Sequence, residues 1–313
     1  MKRLRIVFMG TPDFAVPSLR RLHRSRHQIA GVVTQPDRPR GRGLKLKSPP
    51  VKVYCRQHSL QPVLQPEHLK DADFLARLKE LKADLFVVVA FRILPEAVFR
   101  MPPLGAVNLH PSLLPRYRGA APIQWTLING ETRTGVTTIF ITRNVDAGNI
   151  IEQRPVEISG DETAGTLHDR LAEIGADLLL QTVNKIAAGE VQTQSQDTAR
   201  ATPAPKITPE MARLNFNQPA SVVRQWIHGL SPFPGAYAFL KGEKYKFFRA
   251  KVVAGERTTE QPGTVIRARH SDLWIACYPG VLAVTEIQRQ GKKMLSVEEF
   301  LRGTPLRPGD RFE

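Results

Sequence analysis

The run 84-DLFVVVA-90 constrains this chain more than any other segment. It is apolar and β-branched, with no polar residue alternating through it. A strand with one wet face alternates with period two. A run without alternation suits a central strand of a parallel sheet, covered on both faces. Further strand-like runs lie at Ile6 to Met9, 29-IAGVV-33, 105-GAVNL-109 and 135-GVTTIFIT-142. Between them, 73-DFLARLKELK-82 places Phe74, Leu75, Leu78 and Leu81 on one helical face. In 164-AGTLHDRLAEIGADLLLQTVNKIAAG-189, Leu167, Leu171, Ile174, Leu178 and Ile186 recur at helical spacing. Strand and helix in alternation predict an α/β fold, a doubly wound open sheet of Rossmann-like topology.

At 313 residues the chain is long for one core and suits two domains. The pattern breaks at 189-GEVQTQSQDTARATPAPKITPE-210, which is rich in Gln, Thr and Pro. The expected layout is a first domain over residues 1–189, a linker over 190–208 and a second domain over 209–313. That second domain opens with a helix over 218–230. Five short strands follow, at 235–240, 244–253, 263–268, 272–277 and 280–287. Short strands in close succession predict a small β-barrel of the OB type.

The formal charge is +16, with 45 Lys and Arg against 29 Asp and Glu. Such a surplus favours a polyanionic partner, nucleic acid first. It is not a tail, because residues 206–313 hold 17 basic and 10 acidic residues and the remaining surplus lies before them. No apolar run approaches the roughly eighteen residues needed to span a bilayer. The patch after Met1-Lys2-Arg3 is too short for a signal peptide and ends in the turn-forming Gly10-Thr11-Pro12-Asp13. A cytoplasmic protein without a targeting segment is expected. Cys55 and Cys277 fit no metal-ligand or disulfide pattern. No G-x-G-x-x-G follows the first strand, so a dinucleotide cofactor is unsupported.

Asn108 and His110 stand two apart at the end of a predicted strand, so their side chains share one side of it. Ligand sites in open α/β sheets lie outside the carboxyl ends of the strands. Pro111, Pro115 and Gly119 then make a rigid loop whose free backbone groups could hold a planar heterocycle. Asp146 follows another strand, just before Ala147-Gly148. An amide donor, an imidazole and a carboxylate together fit acyl transfer to an amine. The reaction needs donors for a tetrahedral oxyanion and a base for the amine proton. Spacing alone leaves His110 open between a structural and a catalytic role, and Asp146 between a turn residue and a base. From Arg38 to Lys52 there are six basic residues (Arg38, Arg40, Arg42, Lys45, Lys47, Lys52) and no acidic one. In the second domain Lys244, Lys246, Arg249 and Lys251 interleave with Tyr245, Phe247 and Phe248. That alternation suits RNA binding and stacking, or simply a core strand with a basic outer side.

The run from Asn108 to Pro115, followed by Tyr117-Arg118-Gly119-Ala120-Ala121-Pro122-Ile123, resembles the signature of methionyl-tRNA formyltransferases. These belong to a wider group using 10-formyltetrahydrofolate. Gly10 to Phe14, 34-TQPDRPRGRGLKLKSPPVK-52 and 231-SPFPGAY-237 resemble further motifs of that family. The resemblance implies that Asn108 and His110 stabilise the oxyanion on the formyl carbon and that Asp146 receives the amine proton. It implies that Ser112, Leu113, Leu114 and Pro115 line the folate site, with no metal. It also implies that Arg38, Arg40, Arg42, Lys45 and Lys47 contact initiator methionyl-tRNA, with Arg42 the best single candidate. A monomer is expected. The loop Ala90-Phe91-Arg92-Ile93-Leu94-Pro95 is one residue shorter than the family's and lacks its glycine. Two alternatives share the motif: a formyltransferase for an amino-sugar nucleotide or purine precursor, and a catalytically dead RNA-binding homologue.

Overall fold

The structure, a computed structural model, describes residues 2–40 and 45–313. The chain forms two compact units. The first comprises residues up to Gly119, Arg133–Glu157 and His168–Ala204. The second comprises Ala120–Thr132, Ile158–Leu167 and Pro205–Glu313.

The first unit is built on seven strands: β1 (Arg5–Gly10), β2 (Gln28–Val33), β3 (Val63–Leu64), β4 (Leu85–Val89), β5 (Ala106–His110), β6 (Arg133–Phe140) and β7 (Ile150–Glu157). Their order across the sheet is β7-β6-β5-β4-β1-β2-β3. The five strands from β3 to β5 in that order run parallel, while β6 and β7 add antiparallel. The unbroken apolar run is β4, and all five of its residues are buried. On one face, Phe86 and Val88 join Val7 and Met9 against Phe74 and Leu78 of the helix Ala72–Glu80. On the other, Leu109 meets the helix Ala164–Ala188 so closely that a Cβ at Gly175 would lie 2.8 Å from a Leu109 methyl. Burying such side chains contributes roughly 1.5–3 kcal/mol each. The sheet is therefore a rigid support that delivers Asn108 and His110 to its carboxyl edge.

The second unit carries an antiparallel sheet of β8 (Ala236–Leu240), β9 (Glu243–Val252), β10 (Val265–Arg269), β11 (Asp272–Ala276) and β12 (Val281–Arg289). Their order is β8-β9-β12-β11-β10, with Leu295–Ser296 pairing beside β12. Among the described residues the pairing is an open path, and β8 and β10 do not pair directly. The last residues reach both ends of it instead. Val265 N–H donates to Asp310 O at 2.7 Å, and Phe239 and Glu313 exchange two backbone bonds of 2.8 Å. Under this sheet, Tyr245, Phe247, Phe216 and Phe312 pack edge to face. The helix Ala220–Gly229 packs on Pro122–Ile128, where a Cβ at Gly229 would lie 2.7 Å from Ile128. Trp125 and Trp226 meet edge to face at 6.0 Å.

Candidate active site

Asn108 and His110 emerge together at the carboxyl end of β5, as period two requires. Asn108 is half-buried, and among the described residues its carboxamide has no protein hydrogen-bond partner. His110 is 4% exposed. Its Nε2 lies 2.8 Å from the Tyr117 carbonyl oxygen, which can only accept, so Nε2 is the donor. That leaves Nδ1 as the variable ring position, and Nδ1 lies 3.6 Å from Asp146 Oδ2.

Asp146 sits in the loop between β6 and β7, 36 residues downstream of His110 in a chain where only the fold brings them together. Its φ is 52°, in the left-handed region that costs a non-glycine residue roughly 1–2 kcal/mol. Polar bonds hold it there. Gly119 N–H donates to Asp146 Oδ2 at 3.0 Å. Gln196 Nε2 donates to the carbonyl oxygens of Asp146 and Gly148, both at 2.8 Å. Gln196 Oε1 accepts from Arg118 Nε and Nη2 at 3.1 and 2.7 Å. Gln196 lies in the stretch expected to be a linker. There, Gln194 bridges Ile150 and Pro203–Ala204 pairs with Arg118–Gly119, so residues 194–204 build part of this unit.

The segment Ser112–Pro115 is braced by its surroundings. Four of its backbone groups are engaged in holding its own shape. Thr137 Oγ1 donates to Ser112 O at 2.6 Å, and Leu114 N–H donates to Thr137 Oγ1 at 3.2 Å. Gln153 Nε2 donates to Leu114 O at 2.8 Å, and Leu113 O accepts from Arg116 N–H at 3.2 Å. Ser112 and Leu114 are buried, and Ser112 Oγ donates to Arg116 O at 2.7 Å. Leu113 and Pro115 keep exposed surface. The shortened loop after β4 is braced by Arg92, whose guanidinium donates to Glu67 O and Pro66 O at 2.8 Å and lies 5.3 Å from the Phe91 ring centre.

The basic segment forms a two-stranded ribbon, Arg38–Arg40 paired with Lys45–Lys47. Arg42, together with the side chains of Arg40 and Lys45, lies outside the described residues. Arg38 and Lys47 are directly opposite each other and keep exposed surface, with no acidic partner among the described residues. Opposed like charges are unfavourable by themselves, which suits an external anion. Lys52 behaves differently: its Nζ donates to Asp37 at 2.8 Å, and Ser48 and Gln65 bond the same carboxylate. The Lys52 bond, then the Gln65 bond, hold the Asp37 carboxyl below its usual range. Lys52 thus anchors the base of the ribbon.

In the second unit the aromatic residues of β9 are core: Tyr245, Phe247 and Phe248 are buried, while Lys244, Lys246, Arg249 and Lys251 face outward. The stacking reading of those three rings is therefore corrected, because no base could reach them. Outward rings come instead from β8. Lys244 Nζ lies 3.5 Å from the Tyr237 ring centre, and the Arg213 guanidinium lies 5.7 Å from that of Phe239. Among the described residues no helix is long and apolar enough to cross a membrane.

A family profile described as Formyl transferase matches residues 4–183, and one described as Formyl transferase, C-terminal domain, matches residues 206–305. The chain is 44% identical over 310 residues to a methionyl-tRNA formyltransferase of Syntrophus aciditrophicus, covering 99% of each protein. It is 46% identical to the methionyl-tRNA formyltransferase of Moorella thermoacetica, covering 98% of each. In fold it is similar to HypX from Aquifex aeolicus in complex with tetrahydrofolic acid. That likeness has a TM-score of 0.67 at 18% identity and covers all of this chain and 51% of HypX.

Proposed function

The chain belongs to the methionyl-tRNA formyltransferase family, and from that premise we propose that it moves the formyl group of 10-formyltetrahydrofolate to the α-amino group of methionyl-initiator tRNA. The product is N-formylmethionyl-tRNA, the species that starts translation. One observation carries the reading. The free amide of Asn108 and the imidazole of His110 leave the end of β5 together, with the Asp146 carboxylate 3.6 Å from the imidazole, in a chain that aligns end to end with proteins of that name.

Bound 10-formyltetrahydrofolate supplies an electrophilic formyl carbon. Asn108 donates from its unengaged carboxamide to the oxygen that becomes negative when the amine attacks. In its imidazolium form, with both ring nitrogens carrying hydrogen, His110 adds a second donor through Nδ1, the nitrogen that the Tyr117 bond leaves available. Such preorganised donors are worth about a hundredfold to a thousandfold in rate each. Asp146, facing His110, receives the proton that the attacking amine must lose. As the tetrahedral intermediate collapses, the bond from the formyl carbon to N10 breaks and tetrahydrofolate leaves with that proton on N10. These roles need only the three side chains, without a metal.

Leu113 and Pro115 would offer surface to the folate, while Ser112 and Leu114 would act through the shape they give the loop. Arg38, Arg40, Arg42, Lys45 and Lys47 would meet the phosphates of the tRNA acceptor end. Phosphate contacts give affinity and salt dependence more than sequence choice. The proposed layout keeps catalysis in residues 1–189 with the support that 194–204 give them, and tRNA binding in 209–313, in a monomeric cytoplasmic protein.

The test is direct. Purified protein is given 10-formyltetrahydrofolate with charged initiator tRNA, and in parallel with amino-sugar nucleotides. Formylation of the methionyl-tRNA is expected. Formylation of the sugar alone, or of neither, would reject this reading.

A further inference from the structure

The loop carrying Asp146 is held by polar bonds more than by packing. Thr142, Arg143, Asn144 and Val145 keep exposed surface, so apolar packing does little there. Asp146 nevertheless occupies a left-handed conformation, with φ 52°, that it would leave if released. Gly119 N–H holds its carboxylate, and the backbone of the bend is held by one side chain from a distant segment. Gln196 spans both carbonyls of the bend, at Asp146 and Gly148.

The orientation of the Gln196 amide is itself fixed. Arg118 carries only donors, so the amide oxygen must face its two N–H groups and the amide nitrogen must face the loop. All of the amide's bonding capacity is thereby directed. Along 192–200, every residue but Gln196 is exposed. Apolar packing therefore gives no reason for this one residue to turn inward.

We infer that Gln196, clamped by Arg118, is a positioning residue that holds Asp146 at its 3.6 Å approach to His110. It touches no reacting atom. It acts through the backbone of the residue that receives the proton. The inference rests on the catalytic role proposed for Asp146, and the experiment separates the two.

Three variants and one double variant are compared: Gln196→Ala, Gln196→Glu, Asp146→Asn, and Gln196→Ala with Asp146→Asn. Gln196→Glu keeps the acceptor for Arg118 but loses the donor to the loop. Both Gln196 variants are expected to lower kcat by about tenfold to a hundredfold, the range that misplacing a reacting group costs. KM for methionyl-tRNA and the melting temperature should stay near those of the parent. Adding Gln196→Ala to Asp146→Asn should lower kcat no further, since the positioned group is already gone. Parental kcat in Gln196→Glu, or additive losses in the double variant, would overturn the inference while leaving Asp146 catalytic. Near-parental kcat in Asp146→Asn would instead reject the role of Asp146, and the inference with it.

Discussion

His110 donates from Nε2 to the carbonyl oxygen of Tyr117 at 2.8 Å. That bond divides the two ring nitrogens. Nε2 is spent on the protein, and Nδ1 faces Asp146 at 3.6 Å. Tyr117 is able to present its carbonyl inward because it sits at φ 61°, one residue before the strand pairing of Arg118–Gly119 with Pro203–Ala204.

The two ring nitrogens can be distinguished by substitution. An asparagine at position 110 places an amide group near Nδ1, and a glutamine places one near Nε2. His110→Ala should lower turnover by at least about a hundredfold, the worth of a transition-state donor or base. His110→Asn should retain more turnover than His110→Gln, although the glutamine better replaces the Tyr117 bond. The reverse order in single-turnover rates would mean that Nε2 is the working nitrogen.

Removing a ribbon cation should weaken tRNA use without touching the chemistry. Arg38→Ala, Lys47→Ala and Arg42→Ala should each lower kcat/KM for charged tRNA and leave KM for the folate unchanged. The dependence of log KM on log salt should become shallower by about one for each phosphate that the variant no longer neutralises. A short aminoacylated analogue without the tRNA body is the control. An equal fall in kcat/KM on that analogue would show that the ribbon serves the reacting centre instead.

Much of this architecture is written in local pattern. The run that forms β4 announces a strand covered on both faces because all five of its residues are apolar. β7 carries no such signal, and its sequence shows why. Ile150–Glu157 mixes Glu, Gln, Arg and Pro155 into a strand, which only an edge position tolerates. The site divides the same way. Asn108 and His110 are legible from period two along one strand. Gln196 is not, since one inward amide in a run of exposed residues leaves no periodic trace. Lys52 reads as a sixth free cation of the basic segment until its ion pair with Asp37 is visible. Composition counts charges, while only contacts show which are already satisfied.

Gly119 joins backbone geometry to the site. Its φ is 126°, and a Cβ there would lie 2.6 Å from the Ala204 carbonyl oxygen. Its N–H also supports Asp146. Gly119→Ala must therefore move Ala204, change its own φ, or both. The strain should cost about 1–3 kcal/mol, read as a melting temperature lower by several degrees. Turnover should fall with it, because the donor to Asp146 shifts. A variant with parental melting and parental turnover would contradict both the left-handed conformation and the close approach.

His228 gives the second unit a dependence on pH. The ring is 4% exposed, with one nitrogen 3.2 Å from Glu162 O and the other 3.0 Å from Ala250 O and 3.2 Å from Ala250 N. Burial first, and the charge of Arg224 second, push its pKa down from 6.5 to about 4. The folded state therefore keeps the ring neutral at pH values where the unfolded chain would protonate it. A depressed histidine contributes its full stability above the unfolded value. That stability is lost as pH falls from 6.5 toward about 4. The slope is about 1.4 kcal/mol per pH unit, so the loss is roughly 3 kcal/mol across the window. His228→Gln keeps a donor and an acceptor but cannot titrate. At about pH 7.5 the parent should melt above the variant, and the gap should narrow by about pH 4.5. Measuring both proteins side by side removes the acid repulsion that their common charge produces. A gap that stays constant across the window would mean that His228 does not titrate between the two states.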